Sequence, residues 1–130
     1  MICTNFEQSK HLFNVLKMNP SLGDMSWYRS NEMYPYELHS LNETHFRMEG
    51  DDLVPACSLN ALFNIMPKEL DYENDKYSLC LKYDHECPML YYVNKSGKLI
   101  RFGKRCTPDA WDALDAAYQM VCWLREQGLI

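Results

Sequence analysis

Tyr77, Leu79, Leu81 and Tyr83 alternate with Lys76, Ser78, Cys80 and Lys82. A period of two gives a strand one apolar and one mixed face, and excludes a helix over this stretch. Asp84-His85-Glu86-Cys87-Pro88 then turns the chain and Met89 to Val93 returns. Asn94-Lys95-Ser96-Gly97 forms a second turn, with Gly97 free to take positive φ, and Lys98 to Phe102 makes a third strand. Consecutive strands joined by such short turns define an antiparallel meander, so the second half of the chain must contain a sheet that other elements cover.

The covering elements are helices. Thr107-Pro108-Asp109 supplies a capping hydroxyl, a proline at the first helical position and an acid in the first turn. Trp111, Leu114, Tyr118, Val121 and Leu124 follow at three- and four-residue steps, and Gly128 stops the helix with Leu129 folding back over its last turn. Near the start, Thr4-Asn5-Phe6-Glu7 fits a capping box and predicts a helix over about residues 5–18, with Asn19-Pro20 as its stop. Ser58 caps a short helix through Met66, which Pro67 ends. Met25 to Arg29 and Met33 to His39 read as a hairpin, the second strand at an edge or bulged because Pro35 lacks a ladder donor. Residues 40–54 lack clean periodicity and read as a loop; Glu69 to Asp75 reads as an acidic connection. The resulting order is α-β-β-α-β-β-β-α, a single α+β domain over residues 1–130, with the meander packed by helices.

At 130 residues, 47% hydrophobic and 24% charged, the chain has a globular balance. Scaling laws bury roughly two-thirds of the unfolded surface, enough for one core. The first twenty residues contain Glu7, Lys10 and Lys17 and no signal-peptide core, and the most apolar run, Pro88 to Val93, is too short for a membrane span. A cytoplasmic protein without a membrane partner is therefore expected. In that compartment Cys3, Cys57, Cys80, Cys87, Cys106 and Cys122 are expected as reduced, mostly packed thiols.

No catalytic constellation assembles along the sequence, and no cofactor is expected. Cys80, His85, Cys87 and Cys106 surround one hairpin, but a structural zinc site usually offers two cysteines two to four residues apart. His85 and Cys87 form the one local thiol–imidazole pair among the four histidines, His11, His39, His45 and His85; no Gly-x-Ser-x-Gly elbow occurs. Asp109, Asp112 and Asp115 suit the positive end of a helix, and the scattered glycines make no phosphate loop.

Two surfaces remain. Aromatics are 13% of the chain, and Tyr28, Tyr34, Tyr36, Tyr91 and Tyr92 fall on strands whose neighbouring side chains point opposite ways. Cross-strand tyrosine pairs stabilise sheets, which is the expected role for most of them. An exposed subset centred on Trp27, Tyr34, Tyr36 and Tyr92 would instead anchor another protein. The alternative is a nucleic-acid-associated regulator using Lys95, Lys98, Arg101, Lys104 and Arg105, a run with no acid between Cys87 and Pro108. The net charge of −5 argues against nonspecific nucleic-acid binding, which rests on releasing counterions from phosphates.

Cys3-Thr4-Asn5-Phe6-Glu7-Gln8-Ser9-Lys10, Asp24-Met25-Ser26-Trp27, Leu59-Asn60-Ala61-Leu62 with Met66-Pro67-Lys68, and the ending Trp123-Leu124-Arg125-Glu126-Gln127-Gly128-Leu129-Ile130 resemble small uncharacterised phage and prophage proteins of gut anaerobes. That resemblance implies an accessory protein of a phage or mobile element and carries no catalytic residues to transfer. The expectation is a nonenzymatic protein that acts by protein–protein binding.

Overall fold

The computed structural model describes residues 3–30, 32–40, 52–84, 87–102 and 113–130. It is an α+β fold with two antiparallel sheets. The chain gathers into two compact units, Met1–Ala61 and Leu62–Ile130.

In the first unit, helix α1 (Phe6–Lys10) starts at Phe6, one residue later than predicted. Asn5 is the N-cap: its Oδ1 accepts from Gln8 N at 2.8 Å while Gln8 Oε1 accepts from Asn5 N at 3.0 Å. Thr4 cannot cap because it is fully buried and already engaged. Its N–H donates to Cys57 O at 2.8 Å, and its hydroxyl oxygen accepts from Cys57 N at 3.0 Å. The predicted helix over 5–18 also changes pitch. After Lys10 it continues as a π-helical turn, His11–Val15, with Leu16 N bonding His11 O. Lys17 then takes a left-handed φ of 55° and ends it.

Strand β1 (Met25–Arg29) is central, paired antiparallel with β2 (Glu37–Ser40) and β3 (Asp52–Ala56). The predicted hairpin is present and its second strand is an edge, but that strand begins at Glu37 rather than Met33. Pro35, with no N–H to give a ladder, leaves Met33 to Tyr36 in the connection. Strand β3 corrects the loop expected over 40–54, of which residues 41–51 lie outside the described residues. Its Pro55 is tolerated because β3 is the other edge. Gly23 lets β3 pass close: a Cβ there would lie 2.9 Å from Ala56 O. Leu12, Phe13, Met18, Val54, Ala56 and Cys57 are among this unit's buried apolar residues.

Helix α2 (Leu59–Ile65) is capped by Ser58 as predicted, with Ala61 N donating to Ser58 Oγ at 3.2 Å. In the second unit, β4 (Glu69–Tyr72), β5 (Asp75–Asp84), β6 (Cys87–Val93) and β7 (Leu99–Arg101) form the meander in sequence order. The acidic connection expected over Glu69 to Asp75 is thus a fourth strand and a tight turn. Leu70 buries itself between exposed Glu69 and Asp71, so the short strand has an alternating pattern. Glu73 and Asn74 turn with φ of 51° and 61°. At the same end, Asn94 Oδ1 accepts from Lys98 N at 2.7 Å, and Gly97 supplies the expected positive φ of 88°.

Helix α3 (Ala113–Glu126) packs on β6. It buries Leu114, Ala117, Met120, Val121 and Leu124. Trp123 meets Tyr72 edge-on at 5.0 Å and Phe102 at 5.9 Å. Gly128 (φ 71°) ends it, with Leu129 N bonding Leu124 O and Gly128 N bonding Arg125 O, the predicted C-terminal stop. The predicted start at Thr107-Pro108-Asp109, with Trp111, lies outside the described residues. No helix among the described residues is long and apolar enough to cross a membrane.

Candidate protein-binding hairpin

The aromatic residues singled out from the sequence separate into three environments. Tyr92 is fully buried and its hydroxyl donates to Pro67 O at 2.6 Å, so the expectation that it anchors a partner is corrected. Its place on β6, opposite Leu79 and on the face that also holds buried Leu90, turns it into the core. Burial also pushes its phenol pKa up. Trp27 is half-buried and donates its indole N–H to Thr4 O at 3.0 Å, tying β1 to the N-terminal segment. Tyr34 is exposed at 58%, and beside it Met33 is exposed at 90%.

Tyr36 explains how those two are held. Its ring lies 4.4 Å from the Phe6 ring at a 37° tilt, and the Arg29 guanidinium sits 4.4 Å above its centre. Lys10 Nζ lies 5.2 Å from the Phe6 ring centre. Arg29 Nε donates to Asp52 Oδ2 at 2.7 Å, a bond that holds the guanidinium pKa above its ordinary value. The layers Lys10, Phe6, Tyr36 and Arg29 therefore brace the base of the β1–β2 hairpin through cation–π and aromatic contact. Sequence reading missed Met33 and Arg29. Pro35 was the available signal that the apolar pair before it stands outside the ladder.

The basic run divides. Lys95, Lys98 and Arg101 are exposed, while Lys104 and Arg105 lie outside the described residues. Lys98 Nζ already stands 3.8 Å from Glu73 Oε2, which offsets part of its charge. Asp75, whose Oδ2 accepts from Asn94 Nδ2 at 2.6 Å, places a second carboxylate at this end of the sheet.

Three of the described thiols are held in the protonated form. Cys3, Cys57, Cys80 and Cys122 are free. Burial, aided by the Asp24 charge, pushes Cys57 up to about 12 and raises Cys3; burial pushes Cys122 up to about 11. Each of these three is thus kept as the less nucleophilic thiol near neutrality. His45, His85, Cys106, Asp109 and Asp112 lie outside the described residues. Asp115 instead accepts from Gln119 Nε2 at 2.6 Å. Among the described residues no three His, Cys, Asp or Glu side chains converge as metal ligands.

Comparisons with protein-family models, curated proteins and solved structures give no match to this chain.

Proposed function

We propose that this is a nonenzymatic accessory protein that works by binding another protein, with Met33 and Tyr34 at the β1–β2 hairpin tip as the anchors. One observation carries the reading: two large side chains stand at 90% and 58% exposure on a turn whose base is braced by Phe6, Tyr36 and Arg29. Burying such side chains in a contact gains about 1.5–3 kcal/mol each. A braced base lowers the ordering cost that a floppy loop would incur on binding. The sequence resemblance supports a phage or mobile-element setting, in which the partner is a protein of the bacterial cytoplasm.

The test compares wild type with Met33→Ser/Tyr34→Ser in affinity purification from a bacterial host carrying such an element, read by quantitative mass spectrometry. Both proteins must give the same far-UV spectrum and melting temperature. A protein retained by wild type and depleted about tenfold or more by the variant supports the reading; a loss of about 1.4 kcal/mol suffices for that. Indistinguishable recoveries overturn it.

A further inference from the structure

We propose that Met33 is an oxidation site: a hydroperoxide converts its thioether to the sulfoxide, and that change releases the protein bound at the β1–β2 hairpin. The release rests on the function proposed above; the modification rests on the side chain itself.

Access singles out Met33. It is 90% exposed, whereas Met18, Met66 and Met120 are 5%, 4% and 0% exposed. Met25 and Met89 are half-buried on β1 and β6, and Met1 and Met48 lie outside the described residues. In the reaction the sulfur lone pair attacks the terminal oxygen of the peroxide. The O–O bond breaks as the S–O bond forms, and the hydroxyl proton moves to the departing oxygen. That oxygen leaves as water from hydrogen peroxide, or as an alcohol from an organic hydroperoxide. Sulfur gives up two electrons and the peroxide takes them, without help from a second side chain, so the rate follows access to sulfur. A thioether also has no proton to lose and stays nucleophilic at neutral pH. Cys3, Cys57 and Cys122 are instead held by burial away from the thiolate form that peroxides attack.

Position gives the oxidation its consequence. Met33 stands beside Tyr34, itself 58% exposed, on the turn that Phe6, Tyr36 and Arg29 brace. The sulfoxide replaces a flexible apolar contact with a polar S–O group. An apolar pocket that takes the thioether offers this oxygen no donor, so binding weakens. In the unbound protein the same oxygen is hydrated, and the fold is unaffected. Two thiols reverse the step through a methionine sulfoxide reductase: the oxygen leaves as water and the thiols become a disulfide.

The test treats the pure protein with hydrogen peroxide, then with dithiothreitol, which returns sulfenic acids and disulfides to thiols but leaves the sulfoxide. Peptide mass spectrometry is expected to find Met33 oxidised at least about tenfold faster than Met18, Met66 and Met120, with an unchanged far-UV spectrum. The oxidised protein then joins wild type, Met33→Leu and Met33→Ser/Tyr34→Ser in the affinity purification described above. Oxidation is expected to deplete the captured protein about tenfold or more, and methionine sulfoxide reductases for both epimers to restore it. Met33→Leu keeps an apolar contact without sulfur, and is expected to retain the partner before and after peroxide. Met33 reacting no faster than the buried methionines overturns the proposal. So does a partner lost by the serine variant but kept by the oxidised protein, or a peroxide-induced loss that persists in Met33→Leu. If nothing distinguishes wild type from the serine variant, the binding reading falls and the release with it, while the peptide map still decides the modification site.

Discussion

Asp24 receives both polar groups of Ser58, a residue 34 positions away: Ser58 N donates to Oδ1 at 2.8 Å and Ser58 Oγ to Oδ2. Ser58 in turn caps α2 through Ala61 N. The carboxylate that precedes β1 therefore fixes the residue that starts α2. Asp24→Ala is expected to destabilise the protein by about 1–2 kcal/mol, with Asp24→Asn retaining part of the bond. Urea titration with an unchanged m-value checks this; a shift within error would assign the cap to Ser58 alone.

Cys57 makes stability fall in alkali. Its folded thiol titrates at about 12 against an ordinary 9.0, so the unfolded chain loses this proton first as pH rises. Stability from this group is complete below pH 9 and is lost between 9 and 12, at up to about 1.4 kcal/mol per pH unit. Cys57→Ala should flatten that slope measurably in urea titrations at stepped pH. An identical slope in the variant would exclude Cys57 as its source.

Ser26 is completely buried, and its hydroxyl has no hydrogen-bond partner among the described residues. Among the described residues, nothing replaces the water this hydroxyl gives up. Ser26→Ala is expected to be neutral or to stabilise by up to about 1 kcal/mol, an unusual sign for a central strand. Thermal unfolding decides, and a loss of more than about 1 kcal/mol would mean the hydroxyl is satisfied in solution.

Glu73 occupies the first left-handed position of the β4–β5 turn, where Asn or Gly is favoured. Its pairing with Lys98 at 3.8 Å is exposed on both sides and contributes little. Glu73→Asn should therefore raise stability by roughly 0.5–1 kcal/mol. A lowered urea midpoint would give the ion pair the larger share.

Much of the fold was legible because the relevant chemistry is local. The alternation through Tyr77 and Leu79, the Asn94–Gly97 turn, the Ser58 cap and the Gly128 stop each follow from residues within a few positions of one another. Strands β3 and β4 were missed for the opposite reason. Asp52–Ala56 and Glu69–Tyr72 are short, acidic and at edges, and β1 and β5 make them strands. Of the candidate anchors, Tyr34 emerged at the surface, while Tyr92, drawn from the same aromatic pattern, went into the core. Period two says that Tyr91 and Tyr92 point apart but not which one α3 will cover.

The sequence by itself determined the periods, the turns and the ends of the helices, because backbone preference and neighbouring side chains act over one or two turns of chain. Tertiary structure alone decided which face is buried, that Thr4 bonds Cys57 instead of capping α1, and that Met33 stands exposed above the Arg29–Tyr36–Phe6 stack. Those outcomes depend on groups dozens of residues apart competing for the same hydrogen bonds and the same apolar surface, and only packing settles that competition.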